Sequence, residues 1–392
     1  MVRENRLEPK LRFPEFNGEW QNIKLKDSYT LISGQHLGPD EYSQEENKTP
    51  YFTGPSDFTN KTDEISKWSL VNGKLAQKHD VLFTVKGSGV GSLMYLNLES
   101  VMIGRQLMAI RSRISSTKLL SHFLPKKREY FEKLASGNMI PGLSREDILS
   151  LNLSLPTSPE QQKIASFLTS VDSKIEKLEK KRELMAEYKR GVMQKIFSQE
   201  IRFKGEDGKE YPEWVELPLG DLVIISKEKY NPLRDKEIYK CIELENLSQE
   251  TGKLLGYFNS SQQQSIKNKF NKGDILYGKL RPYLKKYYKA DFDGVCSSEI
   301  LVLKGKKLDN NFLYQLIKTF KFNSIANVSS GSKMPRADWE YMKEILFKYP
   351  SILEQQKIAN FLSGIDKKIE LVEQETEQVK EFKRGLLQQM FV

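Results

Sequence analysis

The line EQQKIASFL, residues 160–168, returns as EQQKIANFL at 354–362. An offset of 194 separates the two, and it holds far outside this phrase. Trp20 answers Trp214, Asp27 answers Asp221 and Asp80 answers Asp274. Val101 falls on Val295, Leu107 on Leu301, Pro141 on Pro335 and Pro156 on Pro350. The chain of 392 residues is therefore two copies of one large unit rather than an array of short repeats. The copies are unevenly alike. From 160 to 197, 20 of 38 positions are identical to 354–391, whereas the preceding part of each unit keeps only scattered anchors. One segment has stayed constant while the other has diverged, the pattern of a shared scaffold carrying two different readers.

The constant segments read as long helices. Apolar residues fall at Ile164, Leu168, Val171, Ile175 and Leu178, and again at Ile358, Leu362, Ile365, Ile369 and Val372. The alternating four- and three-residue spacing is a heptad seam. Arg182 and Lys189 interrupt it in the first copy, Thr376 and Lys383 in the second, and such polar positions can fix register. Thr157 with Glu160, and Ser351 with Glu354, have capping-box spacing. The first helix ends where the second unit begins, and the second helix leaves that unit directly. If the helices pair within the chain they must run antiparallel, with a globular domain at each end of the rod and a pseudo-twofold axis between. The expected fold is thus α+β: globular parts at 1–156 and 199–350, helices at 157–198 and 351–392. A heptad pair alone would serve equally as a dimerisation device.

Composition narrows the function. The formal net charge is +10, which favours a polyanionic partner, most simply nucleic acid. No apolar run reaches the length of a membrane span, and the N-terminus has no signal-type apolar stretch, so no membrane association and a cytoplasmic location are expected. Cys241 and Cys296 are the only cysteines, and with three histidines they form neither a disulfide framework nor a metal-ligand pattern; no cofactor is expected.

Strands are expected at 81–85, 274–278, 102–113 and 299–305, and helices at 118–137 and 310–331. The sharpest local signal is YGKLRPYLKKYYKA, 277–290, which interleaves basic and tyrosine residues. Lys279, Arg281, Lys285 and Lys286 would neutralise phosphates or bind base edges, and tyrosines such as Tyr283 would supply flat contact surface. A solvated lysine-rich hairpin is the plainer reading. The corresponding TVKGSGVGS, 84–92, offers Lys86 and Ser88 among glycines that permit close backbone approach. It lacks the spacing of either nucleotide-binding glycine motif. Arg105, Gln106 and Arg111 form another polar cluster, and SGNMIPGLSRED and SGSKMPRADWEY add Asn138, Arg145, Lys333 and Arg336. No Walker, HExxH, GxSxG or adenine-methyltransferase motif occurs, so a non-catalytic chain is expected.

The order domain–helix–domain–helix, the doubled P-x3-EQQKIA-x-FL phrase, the KRG near each helix end and the LRFPEFNGEW opening resemble the specificity subunits of type I restriction-modification systems. The resemblance spans the whole chain. It implies two target recognition domains, each reading one half of a bipartite, asymmetric site on double-stranded DNA, with the helices as spacer. It also implies two methyltransferase subunits that methylate adenine and bring S-adenosylmethionine, and restriction and translocation subunits driven by ATP. A stand-alone DNA-binding regulator and a coiled-coil adaptor are the competing readings.

Overall fold

The computed structural model describes residues 7–136, 141–328 and 334–392. It divides into two compact units, Met1–Glu179 with Gln374–Val392, and Lys180–Glu373. Both are mixed α+β, and both contain the same strands and α-helices in the same order. In the first, Gln21–Lys24 pairs antiparallel with Asn152–Leu155; in the second, Val215–Pro218 pairs with Leu346–Tyr349. A four-stranded antiparallel sheet follows. Its order is Tyr29–Ser33, Leu107–Ser112, Val81–Thr84, Leu93–Tyr95 in the first unit and Val223–Ile225, Ile300–Gly305, Ile275–Gly278, Tyr287–Lys289 in the second.

The five-stranded sheets show where the copies diverged. Four strands correspond: Trp68–Ser69, Thr49–Phe52, Ser100–Ile103 and Leu75–Gln77 match Phe258–Asn259, Lys240–Ile242, Gly294–Cys296 and Lys267–Phe270, each set built on one parallel pair. The fifth strand is added at opposite edges. Tyr42–Ser43 pairs with Trp68–Ser69 in the first unit, whereas Lys229–Tyr230 pairs with Lys267–Phe270 in the second.

Two expected elements are divided. Residues 102–113 are not one strand: Ser100–Ile103 and Leu107–Ser112 lie in different sheets, joined by a turn in which the Leu107 amide donates to the Gly104 carbonyl. At Gly104 a Cβ would stand 3.0 Å from the Thr53 Cα, so the crossing depends on glycine. Residues 118–137 break at Pro125 into Thr117–Phe123, a 3-10 turn and Arg128–Ala135. The 310–331 segment likewise breaks at Thr319, whose hydroxyl caps Phe320–Ala326.

The long helices are Ser158–Phe197 and Ile352–Gln389. Within each unit their segments run antiparallel. In the first unit, Ile164, Ala165 and Leu168 share a core with Leu386, Met390 and Phe391, while Asp172 meets Lys383 at 2.5 Å. In the second, Met193 and Ile196 share a core with Ile358, Ala359 and Leu362, while Lys189 meets Asp366 at 2.5 Å. Val171 and Ile369 pack at the edges of these cores, Leu178, Ile365 and Val372 are buried, and Ile175 is half-buried. The seam is no free-standing rod. Ile164 and Leu168 pack with Trp20, Phe123 and Ile148 of the globular part, and Ile358 and Leu362 with Trp214, Phe312 and Met342.

The repeated phrase explains this union, and the capping-box reading of it is corrected. The Glu160 carboxylate is held by Arg12, Nε to Oε1 and Nη2 to Oε2, both at 2.8 Å. Glu354 is held in the same fashion by Arg202, at 3.4 and 3.1 Å, and accepts from the Trp214 indole at 3.3 Å. The Ser351 hydroxyl, buried, has no partner among the described residues. The next residue is a second fastening. Gln161 donates to the Pro156 carbonyl and accepts from the Ser116 amide; Gln355 donates to the Pro350 carbonyl and accepts from the Asp309 amide. Phe167 stacks edge-on against Phe13, and Phe361 against Phe203.

The polar seam positions are also paired. Asp366 accepts both Lys189 and Lys318. Burial pushes Lys318 down to about 7, and the adjacent Lys189 acts in the same direction. Burial would raise the Asp366 carboxyl, but the two ammonium groups outweigh it and hold it below its ordinary range. In the first unit Asp172 faces Lys383 and His122. Burial drives the His122 imidazole down to about 4; Asp172 opposes this, and Lys383 and Lys118 add to it.

Two outcomes are expected. Arg12→Met strands a buried carboxylate, so the first unit should lose about 3–5 kcal/mol, read as a lowered thermal transition, with partial recovery in Arg12→Met/Glu160→Gln. The unfolded His122 titrates at about 6.5 and the folded one at about 4, so the unfolded chain binds the extra proton between those values. Stability of the first unit should be full above about pH 6.5 and fall as the pH drops toward 4; denaturation across this range should show a shallower slope for His122→Gln.

Candidate nucleic-acid interface

The glycine-marked turns after Val81–Thr84 and Ile275–Gly278 are fastened alike. In the first unit the Val85 amide donates to the Gln106 carbonyl, the Gly87 amide to the Pro141 carbonyl, and Lys86 bridges Gly142. In the second, the Lys279 amide donates to the Glu299 carbonyl, the Arg281 amide to the Pro335 carbonyl, and Leu280 bridges Arg336. The structure therefore brings Lys86, Ser88 and Gln106 together with 141–142 in one unit, and Lys279, Arg281, Tyr283 and Arg336 together in the other. Lys86, Ser88, Arg105, Gln106, Arg281, Tyr283 and Arg336 are exposed. Asn138 and Lys333 lie outside the described residues.

The second-unit turn is the more constrained. Pro282–Leu284 is a single 3-10 turn flanked by Arg281 at φ 51° and Lys285 at φ 46°. Two non-glycine residues in the left-handed region cost about 1–3 kcal/mol each, and their neighbours supply the restraint. The Gly278 amide donates to the Lys286 carbonyl, and the Glu250 amide to that of Lys285. The Lys285 ammonium pairs with Glu250 at 2.8 Å and the Lys286 ammonium donates to the Leu244 carbonyl at 2.7 Å. Both lysines thus fasten the turn to 244–250. At its tip, Tyr283 is 53% exposed, and no described residue pairs with the Arg281 guanidinium.

The other tyrosines do not form contact surface, contrary to the sequence reading. Tyr277, Tyr287 and Tyr288 are buried, and burial raises each phenol well above its ordinary range. Their rings pack against Phe322, Tyr314 and Phe292. Coverage of both sheet faces decides this: adjacent Tyr287 and Tyr288 point to opposite faces and each enters a different core.

Arg111 receives a structural task. Its guanidinium holds the buried Asp80 carboxylate at 3.0 and 2.8 Å and donates to the Leu75 carbonyl. Lys304 and Asp274 make the matching pair at 3.5 Å in the second unit. Asp80 in turn accepts from the Gln77 amide and Asp274 from the Asn271 amide, closing the same turn twice. Arg336 is steadied by Glu299 at 3.1 Å, and Arg145 by the Ser33 hydroxyl and the Leu31 carbonyl. Sequence reasoning missed the partners Asp80, Glu250 and Glu299. The repeat of Asp80 at Asp274 was the signal available for the first; the other two had none.

Two copies of a mixed domain, joined by paired helices and each presenting a restrained basic loop, define a two-headed DNA-recognition protein. The chain belongs to the family of the Type I restriction modification DNA specificity domain, whose model matches it twice, over 17–186 and 211–381. It is 23% identical to the type I restriction enzyme MjaVIII specificity subunit of Methanocaldococcus jannaschii, over 96% of this chain and 92% of that one. It is 22% identical to the EcoDI specificity subunit of Escherichia coli, over 87% and 80%. Its fold is similar to that of a type I restriction-modification S subunit from M. genitalium, with a TM-score of 0.62, 18% identity and coverage of 98% and 99%. No helix among the described residues is long and apolar enough to cross a membrane.

Arg281→Gly relieves one strained position and removes a guanidinium that no described residue pairs with. Relief of the positive-φ strain offsets the added freedom of glycine in the unfolded chain, so stability should be unchanged or raised by about 1 kcal/mol, while DNA recognition by the second unit falls; calorimetry and binding assays on the same preparation separate the two.

Proposed function

We propose that this chain is the DNA-addressing subunit of a type I restriction-modification complex, with 1–156 and 199–350 as recognition domains and 157–198 and 351–392 as the connecting helices. Each domain reads one half of a bipartite, asymmetric target. Lys86, Ser88, Arg105 and Gln106 form the contact set of the first, and Lys279, Arg281, Tyr283 and Arg336 that of the second. Lys285 and Lys286 position the second turn, and Arg111 holds the fold. The observation that carries this reading is the doubled family match falling on two units whose scaffolds agree while their exposed loops differ. Basic side chains on a restrained loop suit phosphates and base edges, since a rigid scaffold lets loops differ without loss of the core.

The chain itself is non-catalytic and acts in the cytoplasm. Adenine methylation belongs to two partner methyltransferase subunits, and ATP-dependent restriction and translocation to a further partner. Methylome sequencing of the host with and without this gene tests the reading. A split motif whose methylation vanishes on deletion is expected; persistence of every motif would overturn it. Within that motif, Arg281→Ala should weaken discrimination in one half by about 1–3 kcal/mol and leave complex assembly intact, as judged by size-exclusion chromatography.

A further inference from the structure

A cavity of about 500 Å³ opens on the first unit beside the strand Tyr29–Ser33. Three cationic side chains line it, Lys74, Arg111 and Arg145, with Ser33, and no carboxylate does. Each guanidinium is already oriented. Arg145 donates through Nη1 to the Ser33 hydroxyl at 2.8 Å and through Nη2 to the Leu31 carbonyl at 3.1 Å. Arg111 uses Nε and Nη2 on Asp80 and the Leu75 carbonyl, which leaves its Nη1 hydrogens uncommitted. The charge of Arg111 is balanced by Asp80, whereas Arg145 has only neutral acceptors and Lys74 has no partner among the described residues. The result is a notch with two unbalanced positive charges and spare donors held in fixed directions.

We propose that this notch grips one phosphodiester of the DNA backbone at the half-site of the first domain, setting the duplex in register without reading a base. The proposal rests on the DNA-addressing function above. Several observations favour a phosphate over a base edge. The donors converge from three separate segments, no carboxylate lines the cavity to repel an anion, and its charged groups are all cationic. The notch belongs to one unit alone. At the offset of 194, Trp339 stands where Arg145 is and Lys227 where Ser33 is, while the Arg111 and Asp80 pair persists in strand register as Lys304 and Asp274, Lys304 lying one position short of that offset. The gripping function is therefore an addition to a structural pair common to both halves. Lys74, in irregular chain directly before the strand Leu75–Gln77, and Ser33, at the end of its strand, were not evident from sequence.

The test uses the full chain with the methyltransferase subunit that supports its activity, on duplexes bearing the mapped motif. Lys74→Gln/Arg145→Gln removes both unbalanced charges and leaves the Arg111 and Asp80 pair in place. The expected result is weaker binding to target and non-target DNA alike, with the slope of log affinity against log salt reduced by about 1. A single methylphosphonate, scanned through the target, should weaken wild-type binding at one position in the first half-site and have no further effect on the double variant. An unchanged salt slope would overturn the proposal, as would loss of discrimination between sequences or additive effects of variant and methylphosphonate. If the wild-type complex itself fails to prefer the motif, the DNA-addressing reading is what has failed.

Discussion

The architecture depends on two buried carboxylates. Glu160 and Glu354 are among the least exposed charged groups of the described residues, and each sits in the first turn of a helix of 38 residues or more. An unpaired carboxylate in that position would be strongly unfavourable, so the site depends on an arginine from the opening segment of the same domain, Arg12 or Arg202, that closes over it. The pair joins the first residues of the domain to the beginning of the helix that follows it, 148 and 152 positions away. The neighbouring glutamine uses both ends of its amide on backbone groups of the same domain. Helix and domain are thereby one body, which is why the seam residues Ile164 and Ile358 count among the domain cores as well.

Such fastening permits divergence elsewhere. The scaffold strands, the turn-closing pairs of Arg111 with Asp80 and Lys304 with Asp274, and the bridges to 142 and 336 recur in both units. What differs is carried at the periphery: an edge strand moved from one side of a sheet to the other, and loops that expose glycine and lysine in one copy and a strained Arg–Pro–Tyr turn in the other. Strain of this kind persists only where surrounding bonds over-determine it, and Lys285, Lys286 and Glu250 supply them. A DNA-recognition subunit needs this division, because the surface that reads must vary while the surface that assembles must not.

Much of the fold was legible because it is written in periodicities. The 194-residue offset revealed the duplication, and the heptad spacing from Ile164 and from Ile358 revealed the helices. The candidate interface was less legible. The interleaved tyrosines of 277–290 looked like surface, yet Tyr277, Tyr287 and Tyr288 are core, because both faces of their sheet are covered and composition does not report that. Arg111 looked like a contact alone, yet its guanidinium also holds Asp80, a partner 31 positions away. Glu160 and Glu354 looked like capping-box residues, since their spacing from Thr157 and Ser351 is right, but a distant arginine outcompetes the local N-cap backbone amide for a buried carboxylate.

Sequence by itself determined the doubling, the helical nature of the constant segments, the excess of positive charge and the family. These follow from local spacing and from counts, which need no knowledge of what lies across the core. Tertiary structure alone decided which basic residues are free to meet a ligand, which are tied to the fold, and that Lys74 and Arg145 share one notch. A side chain's availability is set by its nearest partner in space, and for these residues that partner lies in another strand or loop.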